Sequence, residues 1–497
     1  MLVCPAVRRK AIAALVGIGT IAAVALLGWI GWLWYDSRLP DTYSVMDHGA
    51  LDYGGGRVPV GGHHAATSVA SLRGPQTGTP DAKFTLTAKS ATIRLGSGRA
   101  VEALTFDGRS PGPELRVRQG DLVEVTLENE DVPQGVTIHW HGVDLPNAED
   151  GVAGVTQNAV LPGERYVYRF RAAQVGTFWY HTHQASSKEV RRGLFGVFVI
   201  EPPQGVSGHT FDVSLVSHTF DGVPTINGSD LLERRAIARA TPIRLRLVNS
   251  DNAARGFTLS GTPFRVVAID GTELNDPSPL ENVSIEVSGG GRVDVAFTMP
   301  ATPVRLSLEG TAAGLALSAD SLATTPPAPL PGPRFQPWAY GGPAKTSFDA
   351  SSSFDRHFEI SIERKPGFLD GRPGLQWAIN GRIFPHVPVF VVEEGDLVEM
   401  TISNNTKADH PMHLHGHHLL VLSRDEKPVS GSPWWVDTLN VKPGERYRLA
   451  LRASNPGIWM NHCHNLRHAA DGLTMHLAYA GVMTPFNVGD DHHNRPE

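Results

Sequence analysis

The sequence predicts an all-β protein of three β-sandwich domains, preceded by one N-terminal transmembrane helix. Three observations predict this: a long apolar stretch near the N-terminus, many short alternating runs separated by Gly and Pro, and a set of motifs that occurs twice. With 497 residues, 41% of them hydrophobic and 19% charged, the chain is long enough for about three globular domains. Its net charge of -6 gives no basic surface, so nucleic acid is not an expected partner.

The N-terminal stretch has the length and charge pattern of a membrane anchor. Residues 1 to 10 form a basic end, and residues 11 to 35 contain no charge. A helix of that length exceeds the ~30 Å hydrocarbon core of a bilayer. Its last turns carry aromatic residues typical of a membrane interface, Trp29, Trp32, Trp34 and Tyr35. We expect a single-pass helix in the cell membrane, with its N-terminus inside and the remaining chain extracytoplasmic. A cleaved signal peptide is the alternative, but the run is long for one and no small-x-small site follows it.

Composition divides the rest of the chain. Residues 36 to 82 are rich in Gly, Ser, Thr and Pro and predict a flexible linker. Sandwich domains are expected at 83 to 203, 204 to 325 and 339 to 497, the last preceded by a Pro-rich linker at 326 to 338. The two cysteines, Cys4 and Cys463, stand on opposite sides of the predicted helix, so a disulfide between them would have to cross the membrane.

The first and third predicted domains are two copies of one pattern. Residues 120 to 129, GDLVEVTLEN, match residues 395 to 404, GDLVEMTISN, and PGERY follows in both copies. In each copy an HxH pair begins nineteen residues after the proline of PGERY, so His181 corresponds to His462. The second domain repeats the scaffold in PIRLRLVNS and GGGRVDVAF but has no HxH pair, and we interpret it as a structural spacer.

Each of the two copies carries two HxH pairs. They are His139 and His141 (HWH), His181 and His183 (HTH), His413 and His415 (HLH), and His462 and His464 (HCH). A single pair is usually explained by surface or core histidines, whereas four pairs at matching places in a repeat indicate metal ligands. Alternate residues of a strand share a face, so each pair points its two imidazoles the same way. Eight imidazoles from two facing domains are enough to hold a cluster of three metal ions.

A second kind of metal site is predicted around the cysteine. Cys463 lies between two histidines of a strand and therefore points to the opposite face. His410 precedes the HLH pair by an odd number of residues, so it also faces away from that pair. This groups His410 with Cys463 and His468 as a His2Cys set. Such a set with a weak axial ligand suits blue copper, whereas imidazoles without a thiolate suit copper centres that bind oxygen.

The motifs HWHG, WYHTH, HPMHLHGH and HCHNLRHAADGL resemble, in order and spacing, those of the three-domain, laccase-like multicopper oxidases. The resemblance covers residues 83 to 485 and implies three cupredoxin-like Greek-key domains with four copper ions. It implies that the type 1 copper is bound by His410, Cys463 and His468. It assigns the type 2 copper to His139 and His413, and the two type 3 coppers to His141, His181, His183, His415, His462 and His464.

The resemblance also implies the reaction. Electrons from a reducing substrate enter singly beside His468, cross through Cys463, and four of them reduce one O2 to two waters. Asp150 matches an acid that assists proton delivery in this family, although a turn aspartate before Gly151 is the other interpretation. Many bacterial members carry a glutamate directly after the last type 1 histidine. This chain has Ala469 there, and Asp471 is the candidate substitute.

The axial position of the predicted type 1 site is Leu473, five residues after His468. Leucine cannot coordinate, which predicts a comparatively high type 1 potential and activity towards phenols or aromatic amines. Met475 is the alternative axial ligand. It stands two residues further along a strand, roughly 7 Å away, and would need a local bulge to reach the metal.

Three functions are compatible with these motifs. The favoured one is oxidation of small reducing organic molecules with O2. The second is oxidation of cuprous or similar metal ions for copper tolerance, but the chain has only 8 methionines, few for capturing Cu(I) through thioethers. The third is a non-catalytic cupredoxin scaffold, which the complete set of ligand positions argues against. All ligands lie in one chain, so a monomer would suffice.

Overall fold

The computed structural model describes residues 5–47, 49–58, 66–206, 208–319, 326–328 and 331–497. The chain begins with helix α1 (Pro5–Asp36) and continues almost entirely as β-strands arranged in paired sheets. The prediction of an all-β fold behind one N-terminal helix is therefore confirmed. The predicted relation of Cys4 to Cys463 and parts of both predicted linkers, 59–65 and 329–330, lie outside the described residues.

Helix α1 includes the one described segment that is long and apolar enough to span a membrane. It runs from Ala13 to Asp36, with a mean hydropathy of 2.2 and none of its apolar window buried against protein. A helix that is apolar on all sides and uncovered by protein is typical of a membrane span or a signal segment. After it, two short strands follow: β1 (Leu51–Asp52) pairs in parallel with Val389 and Phe390, and β2 (Thr67–Ser68) pairs in parallel with Val482 and Met483.

The first sandwich consists of two four-stranded sheets. Its elements are β3 (Ala82–Arg94), β4 (Ala100–Phe106), β5 (Leu115–Arg118), β6 (Leu122–Asn129), β7 (His139–His141), β8 (Arg165–Arg171), β9 (Gly176–His181), α2 (Ser186–Glu189) and β10 (Phe195–Glu201). The strand orders are β4-β3-β6-β8 and β5-β10-β9-β7. Inward side chains of both sheets, among them Trp140, Tyr168 and Phe198, form one core.

The second sandwich pairs a six-stranded with a five-stranded sheet. Its strands are β11 (Phe211–Phe220), β12 (Val223–Ile226), β13 (Leu232–Ala236), β14 (Pro242–Asn249), β15 (Arg255–Ser260), β16 (Arg265–Ile269), β17 (Thr272–Glu273), β18 (Ser284–Val287), β19 (Arg292–Thr298), β20 (Val304–Leu308) and β21 (Gly314–Ser318). The orders are β12-β11-β14-β19-β16-β17 and β13-β21-β20-β15-β18. The loop before β19 carries the GGGR sequence, which approaches the metal ligands described below.

The third sandwich is the largest. Its elements are β22 (Arg356–Leu369), β23 (Arg372–Ile379), β24 (Arg382–Ile383), β25 (Val389–Val392), β26 (Leu397–Asn404), β27 (His410–Leu414), β28 (Leu419–Arg424), β29 (Lys427–Pro428), β30 (Trp435–Val436), β31 (Thr438–Val441), β32 (Arg446–Arg452), β33 (Ile458–Cys463), α3 (Leu466–Ala470), β34 (Thr474–Tyr479) and β35 (Val482–Met483). One sheet has the order β1-β25-β34-β33-β27-β31. The other has the order β24-β23-β22-β26-β32-β28-β29, with β30 on β28.

The sequence repeat is also a repeat of strand pairing. In the first sandwich β6 pairs with β8, Leu127 opposite Tyr166, and in the third β26 pairs with β32, Ile402 opposite Tyr447. The HxH strands are likewise paired, β7 with β9 and β27 with β33. The repeat therefore brings two HxH pairs side by side in each domain.

Candidate metal centre

The eight histidines of the HxH pairs meet between the first and third sandwiches. His139 lies opposite His181 in one sheet, and His413 lies opposite His462 in the other. All eight are at most 1% exposed. Across the domain boundary the rings of His139 and His415 stack at 3.8 Å between centroids, and those of His141 and His413 at 3.7 Å. The pairs predicted from sequence are therefore brought together in one buried cluster.

Most of these imidazoles are held by one ring nitrogen while the other stays available. Nδ1 of His181 lies 2.9 Å from the carbonyl oxygen of Thr182, and Nδ1 of His413 lies 2.8 Å from that of Asp437. Nε2 of His139 and Nε2 of His413 face each other at 3.5 Å. Metal-binding histidines are usually oriented in this way, by an acceptor on the nitrogen that does not bind the metal.

Asp150 joins two histidines of different domains. One carboxylate oxygen lies 3.1 Å from Nδ1 of His139 and the other lies 3.0 Å from Nδ1 of His415. The residue is 2% exposed and follows a short 3-10 turn, Asn147–Glu149. Gly151 after it has φ +75, and an added Cβ there would lie 1.8 Å from the carbonyl oxygen of Ile138. Asp150 thus ends a turn, as one interpretation held, and also contacts two cluster imidazoles.

The cluster fits metal cations. Burial lowers the pKa of seven of the eight histidines, so they are neutral and can donate a lone pair. Among the described residues, Nε2 of His181, Nε2 of His183 and both ring nitrogens of His464 have no hydrogen-bond partner. Buried polar atoms are normally satisfied. Metal ions coordinated by these nitrogens would satisfy them, and copper accepts imidazole ligands readily.

The predicted His2Cys set is also assembled. The sulfur of Cys463 lies 3.6 Å from Nδ1 of His410 and 3.7 Å from Nδ1 of His468. Cys463 is fully buried and free of any disulfide. Burial raises the pKa of the Cys463 thiol, which disfavours the thiolate. Burial also lowers the pKa of His410 to about 3, so His410 is neutral and supplies no positive charge to stabilise a thiolate. A metal cation would supply it, and the donor set is the one that blue copper sites use.

The outer edge of this set, beside the half-buried His468, is aromatic. The ring of Trp377 packs on His410 at 4.9 Å and on His468 at 4.5 Å. The guanidinium of Arg364 lies 4.0 Å from the centre of the Trp377 ring. The side-chain amide of Asn465 lies 3.2 Å from Nε2 of His468. The edge through which electrons would enter is therefore bordered by an indole, an amide and a cation.

Asp437, which the sequence did not single out, organises the ligands on another side of the cluster. One carboxylate oxygen lies 3.1 Å from Nε2 of His141, and the carbonyl oxygen lies 2.8 Å from Nδ1 of His413. Arg292 of the second sandwich donates to both carboxylate oxygens, at 2.7 and 2.5 Å. Burial alone would raise the pKa of Asp437, but Arg292 outweighs it and holds that pKa well below its usual range. The charged pair thus reaches two ligand imidazoles.

His418 extends this network to the surface. Nδ1 of His418 lies 3.1 Å from a carboxylate oxygen of Asp144, and its Nε2 lies 3.6 Å from Asp437. Burial alone would lower the pKa of His418, but Asp144 and Asp437 outweigh it and raise the pKa to about 9. His418 is therefore a cation at neutral pH and a second partner for the Asp437 carboxylate.

The second sandwich approaches the cluster as closely as its backbone allows. Gly290 has φ +82, and an added Cβ would lie 2.8 Å from the His464 ring and 3.0 Å from the His141 ring. Its carbonyl oxygen accepts a hydrogen bond of 3.1 Å from the indole of Trp179. Among the described residues this domain gives no side chain to a potential metal cluster. Its role is nevertheless more than that of a spacer, because Gly290 and Arg292 pack against and position the ligands.

The segment 495–497 also reaches the cluster. The carbonyl oxygen of Pro496 lies 2.9 Å from Nδ1 of His183. A carboxylate oxygen of Glu497 lies 3.2 Å from Nδ1 of His462, without hydrogen-bond geometry, and the other accepts a 3.0 Å hydrogen bond from Ser186. Burial raises the pKa of Glu497 to about 8. No motif in the sequence marked this residue.

Three other predicted positions can now be located. Asp471 is 51% exposed at the end of α3, where it pairs with Arg467 at 3.7 Å. Leu473 is fully buried and accepts a backbone hydrogen bond from Cys463. Met475 lies opposite Asn461 in the ladder of β33 and β34. Met412, which the sequence analysis overlooked, lies directly opposite Cys463 on β27.

Comparisons with known proteins agree with this architecture. Two multicopper oxidase family models match residues 87–205 and 357–481. A crystal structure of a multicopper oxidase from Pseudomonas thermotolerans is 30% identical, covers 81% of this chain and 100% of its own, and superposes with a TM-score of 0.65. The multicopper oxidase MmcO of Mycobacterium tuberculosis is 28% identical over 84% of this chain and 91% of its own. Laccase-1 of Botryotinia fuckeliana is 26% identical over 83% of this chain and 84% of its own.

The chain belongs to the multicopper oxidase family and is of the laccase-like type. It is a copper oxidoreductase that uses O2 and a reducing substrate. Two predictions from the sequence, the family and the class of reaction, are therefore confirmed.

Proposed function

We propose that this oxidase binds four copper ions and oxidises small aromatic reductants, phenols or aromatic amines, with reduction of O2 to water. One observation carries the proposal: strand β33 joins a His2Cys set with a half-buried histidine to a buried cluster of eight imidazoles. When bound, the four coppers would accept single electrons at the thiolate site and deliver four of them to one O2 at the imidazole cluster.

The proposed ligands follow the donor groups. His410, Cys463 and His468 would hold the type 1 copper, and their donor atoms lie within 4.8 Å of one another. His139 and His413, whose Nε2 atoms face each other, would hold the type 2 copper. The type 3 pair would be held by His141, His181, His183, His415, His462 and His464. Of these, His183, His415 and His462 already bring their donor atoms within 4.8 Å of one another.

Three residues would take part in the transfer of electrons and protons: two of the proposed metal ligands, His468 and Cys463, and the acid Asp150. His468 is the half-buried edge at which the substrate would give up electrons. Cys463 is covalently continuous with His462 and His464, so electrons have a short bonded path to the cluster. Reduction of one O2 to two waters consumes four protons, and Asp150 is the acid placed against two cluster imidazoles. We assign proton supply on that side to Asp150.

The surroundings of His468 favour an aromatic reductant over a metal ion. A cation such as Fe2+ or Mn2+ would require oxygen ligands, and Cu(I) would require thioethers. The side-chain contact on Nε2 of His468 is instead the amide of Asn465. Asp471, the acid nearest in sequence, lies beside the cationic Arg467. The indole of Trp377 and the cation of Arg364 would attract an electron-rich aromatic ring or a phenolate.

We further propose that α1 remains as an uncleaved anchor in the cell membrane, with the three sandwiches outside the cytoplasm. The span Ala13–Asp36 supports this by its length and its lack of protein cover. Arg9 and Lys10 before it favour a cytoplasmic N-terminus. A single chain carries every proposed ligand, so the enzyme would work as a monomer.

The test uses the copper-loaded full chain and a Cys463→Ser variant. We expect about four coppers per chain, an intense blue thiolate band that Cys463→Ser abolishes, and a type 1 EPR signal lost in the same variant. Oxygen uptake should be faster with 2,6-dimethoxyphenol than with Fe(II) or Cu(I). Full copper loading without a blue band would refute the oxidase site, and preferential oxidation of Fe(II) or Cu(I) would refute the aromatic substrate class.

A further inference from the structure

The end of helix α1 is docked on a hairpin of the third sandwich. A carboxylate oxygen of Asp36, the last helical residue, lies 3.0 Å from Nε2 of His386. The hydroxyl of Ser37 accepts a 3.0 Å hydrogen bond from the backbone of Gly371. Arg38 pairs with Asp370 at 3.5 Å. The segment after the span is therefore fixed to one part of the globular region and does not hang free of it.

The contact extends into the span itself. Strands β22 and β23 are joined by the two-residue turn Asp370 and Gly371, both with positive φ, as a tight hairpin requires. An added Cβ on Gly371 would lie only 3.0 Å from the indole nitrogen of Trp34. Trp34 belongs to the aromatic group that marks the membrane interface in the sequence. If α1 spans the membrane as proposed, the hairpin turn would lie at the depth of the lipid headgroups.

One face of this hairpin forms an apolar line. Because directly opposed residues share a face and alternate residues repeat it, this face carries Arg364, Pro366 and Phe368 of β22 and Pro373, Leu375 and Trp377 of β23. Leu375 is 52% exposed, and its partner Pro366 is also exposed. Exposed apolar side chains in a row are unusual on a soluble surface and typical of an interaction site.

The line leads from the membrane side to the proposed type 1 site. Pro373 adjoins the turn that contacts α1, and Trp377, four residues or ~14 Å further along the strand, packs on His468 at 4.5 Å. Strand β22 also packs next to the segment that follows His468: an added Cβ on Gly472, four residues after His468, would lie 3.4 Å from Leu369. The hairpin therefore connects the end of α1 with the Trp377 ring that packs on His468.

Charge on the hairpin complements a lipid surface. Arg38 is 53% exposed beside the helix end, and Arg364, Lys365 and Arg372 are exposed along the hairpin. The acid of the turn, Asp370, is engaged by Arg38. Exposed Lys and Arg side chains next to a span attract anionic headgroups.

We propose that the hairpin face from Pro373 to Trp377 guides a membrane-held hydroquinone with an apolar tail to His468. This rests on the proposed anchor and on the proposed preference for aromatic reductants. The tail follows the apolar line, and the hydroquinone ring meets Trp377. Each hydroquinone loses two electrons and two protons and becomes a quinone. Two of them supply the four electrons and four protons that convert one O2 into two waters, so the reaction balances without a further reactant.

The kinetic test uses the full copper-loaded chain in nanodiscs of phosphatidylcholine and phosphatidylglycerol. Decyl-hydroquinone is the membrane-held probe and hydroquinone sulfonate the water-soluble one. Leu375→Glu places a charge on the apolar line and should lower the ratio of the two kcat/KM values at least tenfold. Leu231→Glu is the matched control, since Leu231 is 47% exposed in the second sandwich, and it should leave the ratio unchanged. A ratio unchanged by Leu375→Glu would overturn the proposal.

A second readout does not depend on turnover. A lipid with a photo-crosslinker in its headgroup should label peptides from 364–376 in the wild-type chain, whether or not copper is bound. Labelling confined to the second sandwich would overturn the proposed orientation. Failure of the underlying function is distinguishable, because hydroquinone sulfonate would then not be oxidised by the wild-type protein either.

Discussion

Replacement of Arg292 by methionine tests whether the second sandwich positions the copper ligands. Arg292 is 1% exposed and donates two hydrogen bonds to Asp437, at 2.7 and 2.5 Å. It also lies 3.4 Å from a carboxylate oxygen of Asp270, whose pKa burial and the Asp437 charge raise to about 7. Methionine fills similar space without charge, so the buried carboxylates of Asp270 and Asp437 would lose the cation they share, and Asp437 would keep only the weaker cationic contact with His418 at 3.6 Å.

Two magnitudes follow from that contact. Removing one partner of a buried ion pair costs about 3–5 kcal/mol of stability. Asp437 would also hold His141 less firmly, and loss of a group that orients a ligand typically weakens metal binding about 10–100-fold. The first effect is measured by urea denaturation of the copper-free protein. The second is measured by competition with a copper chelator, with type 2 and type 3 copper followed by EPR and absorption.

The matched control is Arg356→Met. Arg356 is 2% exposed and pairs with Asp396 in the third sandwich, where it also donates to the carbonyl oxygens of Tyr53 and Arg57. It contacts none of the proposed ligands, so its loss should destabilise the fold without weakening copper binding. If Arg292→Met bound copper as tightly as Arg356→Met does, the positioning role of Arg292 would be refuted.

Three further outcomes are expected. Leu473→Met should lower the type 1 potential and reduce kcat/KM for phenols severalfold, because a thioether would become available to the metal; an unchanged potential in redox titration would contradict this. Asp144→Asn should remove up to about 3 kcal/mol of stability, since the pKa of His418 is about 9 folded against 6.5 unfolded. This loss should be full below about pH 6.5 and disappear as the pH rises through about 9, which thermal unfolding of both proteins across that range would measure. Glu497→Ala should weaken copper binding about 10–100-fold in chelator competition, whereas Glu426→Ala, at a 71% exposed side chain, should not.

The sequence was sufficient to predict that the histidines of the HxH pairs would lie together, because their arrangement depends on local geometry. Strand parity separates Cys463 from His462 and His464 and groups it with His410, and in the structure the Cys463 sulfur lies 3.6 Å from Nδ1 of His410. The repeat also predicted which HxH pairs would lie side by side. These inferences needed only the period of a strand and the spacing of motifs, both of which are written in consecutive residues.

The supporting residues could not be predicted in the same way. Arg292 lies 145 residues before Asp437, and Glu497 lies 35 residues after His462, so no local period connects them. An arginine on a strand is ordinarily a solvated residue, and only the packing of two sandwiches makes this one buried. Asp150 was recognised only through resemblance, because a turn aspartate before glycine is common.

The second sandwich supports the buried cluster of eight imidazoles from outside it. Several ring nitrogens of the cluster have no hydrogen-bond partner among the described residues. The rings are oriented by groups that lie outside the cluster. Gly290 allows the second sandwich to touch the His141 and His464 rings, and Arg292 fixes the carboxylate that holds His141. The middle domain has no HxH pair in its sequence, yet its GGGR loop contacts the cluster and supports it.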